Sequence, residues 1–299
     1  MGSMNMRGVS YALMSAALLA SIVVIGKLLI IEGADPLAIV FFRALLAFLL
    51  LGSYLFIFRR PLLKVRLKDL RLLLLYGLCT AVNYASYFYA FKWISGTLAV
   101  ILLFTYPTLV VIISAFLFKE KVTFYKILAV LLTFTGLIVV IKANDPSFLK
   151  YNFIGICCGL MAGVSMAWYT ILGKILTTRY PSLTVVCYGF GLGALFLFLG
   201  NPVSILTASL SRYAIGGILI LAIFPSLMGY ALFTLSFQYI EPSRTSIVCT
   251  TEPIIAVILA KIFLNEQIGY IQYLGGFLIF CGIIISEIGT FKSTKHLTT

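Results

Sequence analysis

The 299-residue sequence predicts an all-α integral membrane protein with ten transmembrane helices arranged as two inverted five-helix repeats. Three observations predict it. Apolar residues make up 62% of the chain and charged residues only 10%, against roughly 45–50% and about 25% in soluble domains. The apolar residues recur in runs near 20, the length that crosses roughly 30 Å of hydrocarbon at about 1.5 Å per residue. Finally, the second half of the chain repeats Pro, Glu and Gly positions of the first.

Charges, prolines and glycines divide the chain into spans near 10–31, 36–58, 70–93, 95–118, 123–141, 152–176, 183–200, 212–239, 245–264 and 270–290. The first follows Arg7, as the apolar core of a signal peptide would. It nevertheless extends from Ser10 to Ile31, ends on Glu32 and precedes further spans, so it is read as a mature helix. The connections Ile94-Ser95-Gly96 and Glu241-Pro242-Ser243 are so short that the helices they join must be antiparallel neighbours. The net charge of +13 arises in the connections and not on one amphipathic face, and no base-stacking motif accompanies it, so nucleic acid is not the expected partner. Lys and Arg mark the cytoplasmic side instead. With the N-terminus inside, that side receives Arg7, the run Arg59, Arg60, Lys64, Arg66, Lys68 and Arg71, then Lys119, Lys121, Arg179, Arg244, Lys292 and Lys295. The other side holds Lys92, Lys142, Lys150 and Arg212 with Glu32, Asp35, Asp145 and Glu266. Both termini are therefore expected in the cytoplasm, with a prokaryotic plasma membrane as the location.

Six cysteines lie inside apolar runs without CxxC spacing, and the lone His296 sits in a polar tail. Neither a disulfide framework, a metal site nor a cofactor is expected.

At an offset of 146 residues, Tyr84-Ala85 matches Tyr230-Ala231, Phe91 matches Phe237, Ile94 matches Ile240, Pro107 matches Pro253, Glu120 matches Glu266 and Gly136 matches Gly282. One residue further, Gly8 matches Gly155 and Gly26-Lys27 matches Gly173-Lys174. Residues 1–145 and 146–299 are thus read as the two repeats. Five helices per repeat is an odd number, so the halves enter the membrane in opposite senses. The charges agree, since Lys119-Glu120-Lys121 becomes Asn265-Glu266-Gln267 on the other side. Two similar halves that exchange conformations produce alternating access, which an anchoring protein has no need of.

Taken together, Gly26-Lys27, Pro36 with Arg43, Ser95-Gly96, Tyr106-Pro107 followed by Phe118-Lys119-Glu120, and Glu252-Pro253 followed by Asn265-Glu266 resemble the EamA family of the drug/metabolite transporter superfamily. The resemblance covers nearly the whole chain. It implies solute transport, often export, through a cavity between the halves, without fixing a substrate. The sequence departs from internal symmetry at Arg43, whose region in the second half, Cys187-Tyr188-Gly189, carries no basic residue.

Candidate substrate-binding residues follow from depth and polarity. Arg43 lies about 10 Å below Pro36 along its helix. It either anchors a substrate carboxylate or phosphate or pairs with helix carbonyls or Glu32, because a guanidinium in mid-membrane needs an acceptor. Glu252 lies well inside a span, where a carboxylate suits a proton-coupled step; helix packing is the plainer alternative. Tyr84, Tyr87, Tyr106, Trp168 and Tyr230, with Asn83, sit at mid-span depth and suit an amphipathic organic solute, although interhelical hydrogen bonding accounts for each singly. Pro107 and Pro253 are candidate hinges, or static kinks. Lys27 and Lys174 are close enough to span ends to snorkel. Gly155, Gly159 and Gly163 allow close packing of the sixth span or a dimer contact, so both a monomer and a homodimer stay open.

The expected function is a secondary transporter, not an enzyme, moving a small organic metabolite that is amino acid-like or amphipathic, in the direction of export. The alternatives are a membrane-embedded lipid-modifying enzyme, disfavoured by the missing HExxH and paired aspartates, and a passive channel or lipid scramblase. Its partners are the small-molecule substrate and membrane lipid.

Overall fold

Hydrocarbon leaves a backbone no water to bond, so a spanning segment closes its hydrogen bonds within itself. The computed structural model, which describes residues 2–94, 99, 102–120, 122–140, 153–264 and 270–295, meets this need with helices throughout. Ten segments can be followed among the described residues: α1 (Gly2–Ile31), α2 (Pro36–Phe58), α3 (Leu70–Trp93), α4 (Tyr106–Leu117), α5 (Phe124–Val140), α6 (Phe153–Thr177), α7 (Ser182–Gly200), α8 (Arg212–Ser236), α9 (Pro242–Phe263) and α10 (Tyr270–Lys295). Six of them, α1, α2 and α6 to α9, are long and apolar enough to cross a membrane; α4, α5 and α10 contribute shorter apolar stretches. Helix α3 is long enough but less apolar, because it carries Thr80, Asn83, Tyr84, Ser86 and Tyr87. Ser95-Gly96, Lys121, Lys142, Asp145, Lys150, Asn265-Glu266-Gln267 and His296 lie outside the described residues, as do the side chains of Lys27, Lys92, Lys292 and Lys295.

Where they fall on described residues, the boundaries expected from sequence hold closely, with local differences. Helix α1 starts at Gly2, not near residue 10, since nothing in Ser3 to Gly8 stops a helix. The fourth span is interrupted at Phe104–Thr105, and its regular helix begins at Tyr106. The ninth begins at Pro242 and passes through a 3-10 turn at Cys249–Thr251. Helix α8 contains a π-helical stretch, Ala222–Gly229, around Pro225.

The packing has a two-fold logic. Helix α3 packs on α6 and α7, while α8 packs on α1 and α2; α4 lies on α6, and α9 on α1. Thus the third and fourth helices of each half bury themselves against the first and second of the other. Helices α5 and α10 pair with each other, as do α4 and α9. Glycines set these distances. A Cβ on Gly8 would meet Ile240 Cγ2 at 2.7 Å, and one on its repeat mate Gly155 would meet Ile94 Cγ2 at 2.6 Å. The matched pair Gly136 and Gly282 likewise lets α5 and α10 touch, with Gly275 O 2.7 Å and Thr133 Cγ2 2.7 Å from their virtual Cβ atoms. Gly155, Gly159 and Gly163 press α6 onto Trp93, Ile94, Leu102, Leu103 and Thr105 within the same chain, which gives all three a packing role.

Candidate functional site

Where the two halves cross, α1, α2, α3, α6, α8, α9 and the start of α4 surround a cavity of about 50 Å³, room for a few waters. Arg43, Asn83, Tyr84, Tyr87, Tyr106, Tyr230 and Glu252 all line it, with Leu19, Phe88, Phe104, Met166 and Phe233 among its apolar walls.

Arg43 is positioned from the helix start downward. Asp35 caps α2 by accepting from the Ala38 amide at 3.3 Å and from Ser204 Oγ at 2.8 Å, and Pro36 fixes the first turn. Two turns later the Arg43 side chain is buried, its guanidinium 4.2 Å from the centre of the Tyr84 ring. No carboxylate pairs with it among the described residues, and its Nε has no hydrogen-bond partner there. The expected alternatives of Glu32 or helix carbonyls are therefore not used; Glu32 lies exposed at the end of α1. The Tyr84 hydroxyl is likewise buried and unpartnered. Its ring meets that of Tyr230 edge-on at 6.1 Å, and Tyr230 in turn touches Tyr169 at 5.6 Å and Phe190 at 5.7 Å.

Asn83 is fixed through its amide, which donates to the Ala162 carbonyl at 2.9 Å. Across the pseudo-axis, Ser15 Oγ donates to the Gly229 carbonyl at 2.9 Å. These are matched positions in the repeat, so one contact is built twice with the donor on the other chain segment. The Ser15 bond also holds the end of the π-helical stretch from which Tyr230 projects. Tyr106 and Glu252 are matched too, and each is the first residue of a helix after a break. Thr105 Oγ1 donates to Leu102 O at 2.7 Å before one, and Thr251 Oγ1 to Val248 O at 2.9 Å before the other.

Two expectations need correction. Trp168 does not join the cavity: it is 43% exposed on the outer face of α6, while Tyr169, about 100° further round the helix, points inward. Tyr169 was not singled out, because depth alone does not separate adjacent positions; the small neighbours Ser165, Gly159 and Gly163 mark the inward face. Pro107 and Pro253 do not kink continuous helices. Each occupies the second position of a helix, where no hydrogen bond is lost, and the irregular backbone lies just before it.

Beneath the cavity, at the end of the bundle where α1 begins, polar groups tie the halves together. Lys126 Nζ reaches Glu120 at 2.8 Å and Glu241 at 2.6 Å, and Ser243 donates to Glu120. Burial, and then the charge of Glu241, hold the Glu120 carboxyl above the usual range, against the opposing pull of Lys126 and Ser243. Lys174, expected to snorkel, instead donates to the carbonyls of Phe237 and Ile240 at the end of α8. A second cluster joins the α2–α3 connection to the α6–α7 connection: Arg179 pairs with Asp69, and Tyr180 Oη donates to Asp69 at 2.7 Å. The Tyr180 bond first, and Arg179 with it, depress the Asp69 pKa despite burial. No metal-binding group of His, Cys, Asp and Glu occurs among the described residues.

A model of the EamA-like transporter family matches residues 6–142 and 153–287. An uncharacterized transporter of Archaeoglobus fulgidus is 26% identical over 283 residues, covering 91% of this chain and 95% of its own. YetK of Bacillus subtilis, also described as an uncharacterized transporter, is 24% identical over 91% of this chain and 84% of its own. YhbE of Escherichia coli, described as an uncharacterized inner membrane transporter, is 24% identical, with 87% and 85% covered. A solved crystal structure superposes with a TM-score of 0.80 at 13% identity, over 94% of this chain and 96% of that one, and so shares the fold.

Proposed function

The chain belongs to the EamA-like transporter family, and from that premise we propose that it is a secondary transporter carrying a small organic metabolite across the membrane by alternating access, in the direction of export. Residues 1–145 and 146–299 act as the two moving repeats. The observation that carries this is the cavity at their crossing, which holds a buried arginine whose Nε lacks a partner beside an unpartnered tyrosine hydroxyl. A buried cation that faces an aromatic ring but no carboxylate among the described residues is costly, and it persists here as half of an interaction that the solute completes. Arg43 takes a carboxylate or phosphate; the Tyr84, Tyr87, Tyr106 and Tyr230 rings take an amphipathic body. Glu252 offers a second charge of opposite sign, suited to a substrate amine or to a coupled proton.

A metabolite is larger than the present cavity, so loading requires the halves to part. Lys126, Glu120, Glu241 and Ser243 form the inner latch that holds them together at the face where α1 begins, with Lys174 tying α6 to α8 nearby. The distribution of Lys and Arg supports a cytoplasmic position for that face and for both termini. Parting is accommodated at the matched breaks Phe104–Thr105 and Cys249–Thr251, just ahead of Pro107 and Pro253.

Counterflow in proteoliposomes tests the proposal, using labelled amino acids, nucleosides and amphipathic amines with and without a proton gradient. Saturable exchange of one class is expected. Flux that does not saturate and shows no counterflow would mean a channel, and lipid transfer between leaflets without solute exchange a scramblase.

A further inference from the structure

The strongest charged surface lies away from the cavity, on the connection between α2 and α3. Between Phe58 and Leu70 the chain makes two 3-10 turns, Arg60–Leu63 and Leu67–Asp69. Leu62, Leu63 and Val65 turn down onto the core. Arg59, Arg60, Lys64, Arg66, Lys68 and Arg71 are all exposed. The segment is held in place by the second half. Thr184 Oγ1 donates to Leu62 O and Tyr188 Oη to Leu63 O, both at 2.8 Å, and the Arg66 amide donates to Tyr180 Oη at 3.0 Å. The one acid within it, Asp69, is buried and already taken by Arg179 and Tyr180.

Six cations are thus fixed in a short span with mutual repulsion and no acidic side chain pairing with them among the described residues. Topology alone needs fewer, and does not need them ordered. What lies beside them indicates the counter-charge. Ile57 and Phe58 at the end of α2, Leu67 in the connection, and Leu70 and Leu74 at the start of α3 are exposed, Leu67 to 88%. The cations therefore sit where the lipid-facing surfaces of two helices end, at the level of headgroups. A soluble phosphate or a nucleic acid would make no use of those apolar side chains; a phospholipid uses both.

We infer that the α2–α3 connection is a binding surface for anionic phospholipid, with phosphates on Arg59, Arg60 and Arg71 and acyl chains along Phe58, Leu70 and Leu74. Because the same segment is hydrogen-bonded to α7 and to the α6–α7 connection, bound lipid also strengthens the contact between the halves, and the folded carrier is more heat-stable with anionic lipid than without.

The test uses the purified full chain in detergent, titrated with phosphatidylglycerol or phosphatidylcholine, reading lipids retained by native mass spectrometry and the melting temperature. Phosphatidylglycerol is expected to be retained preferentially, to raise the melting temperature more, and to be lost as salt is added. Removing three cations in R59Q/R60Q/R71Q should weaken its retention by roughly a hundredfold, while R7Q/R212Q/K261Q, with the same change in net charge, keeps it. Equal retention of both lipids by the unaltered chain overturns the inference without recourse to any variant. So does an equal loss in both triple variants, which would mean diffuse attraction. Displacement of phosphatidylglycerol by millimolar inorganic phosphate at constant ionic strength would make this an anion site, not a lipid site.

Discussion

The two halves of the central cavity are alike in frame and unlike in charge. In the first half Arg43 of α2 lies over Tyr84 of α3 at 4.2 Å; in the second, Phe190 of α7 meets Tyr230 of α8 at 5.7 Å. Tyr84 and Tyr230 are repeat mates, and Arg43 and Phe190 correspond at the longer offset found in the early part of the halves. Tyr106 and Glu252 hold the matching positions at the start of α4 and α9. Leu19 and Met166 correspond as well, and both line the wall. Under the proposed alternating access the backbone frame needs symmetry, because two states of similar energy require two similar halves. The side chains need asymmetry, because a solute is not itself two-fold symmetric. One cation from one half and one acid from the other give the cavity a direction.

The comparison breaks most directly at Arg43. Arg43→Phe copies the second half into the first, and should lower kcat/KM for transport by about a hundredfold, the loss of a charge-assisted contact of up to roughly 3 kcal/mol. Because the variant also removes a buried cation with an unpartnered Nε, its melting temperature should stay level or rise. Unchanged transport would show that the asymmetry is structural. Glu252→Gln should lower transport about tenfold and abolish any dependence on an imposed proton gradient. If transport by the unaltered chain is already indifferent to the gradient, Glu252 serves the substrate or packing and not a proton.

A similar contrast holds at the two faces. Lys126 and Glu241 in the inner latch correspond to Gln272 and Ser95, so the ionic hub has no counterpart in sequence on the opposite face. The face where α1 begins thus carries an ion-paired hub that the repeat mates of Lys126 and Glu241 cannot form. Lys126→Ala leaves Glu120 and Glu241 as unneutralised neighbours. A fully buried pair broken in this way costs roughly 3–5 kcal/mol, but Glu241 has its side chain 52% exposed, so about 1–2 kcal/mol is the better expectation. Under the proposed mechanism that is a five- to thirtyfold shift toward the state open at this face. A cysteine at buried Ser236, in a background free of other cysteines, should react with a water-soluble maleimide faster by that factor. An unchanged rate would mean that packing at Gly8 and Gly173, not the ion pairs, holds this face shut.

Much of this frame was legible in the sequence, since span length and repeat register are one-dimensional properties. The limits of α2 and α3, Pro36–Phe58 and Leu70–Trp93, fall where charges and proline end the apolar runs. Depth in the membrane can also be counted from a span end, which brought Arg43, Asn83, Tyr84, Tyr87, Tyr106, Tyr230 and Glu252 together as candidates that do line one cavity. Rotation about the helix axis cannot be counted in this way: Trp168 and Tyr169 share a depth and face opposite environments. The latch was not legible either. Lys126 and Glu241 are far apart in sequence, and each alone resembles an interfacial charge; only the packing of α4 and α5 on α9 brings them to one point. Nor could the prolines be placed, because a proline within an apolar run looks the same whether it kinks a helix or begins one.

The smallest expected effect separates the two polar clusters of the inner face by their response to acid. Asp69 titrates below its ordinary value near 3.8, held there by Tyr180 and Arg179. A carboxyl with a depressed folded pKa adds stability that is present above the unfolded pKa and lost as pH falls through the folded one. The melting temperature of the unaltered chain should therefore exceed that of Asp69→Asn at pH 6, and the gap should close as pH falls below about 4. Glu120 is displaced the other way, upward by burial and Glu241, so its ionisation opposes folding, and Glu120→Gln should lose no extra stability relative to the unaltered chain as pH rises from 4 to 7. If the Asp69→Asn gap instead persists unchanged to pH 3, the contact depends on shape and neutral hydrogen bonds. The α2–α3 connection would then be held to α7 and the α6–α7 connection chiefly by Thr184, Tyr188 and the Arg66 amide, and the ionic part of the contact between the halves would rest on Lys126.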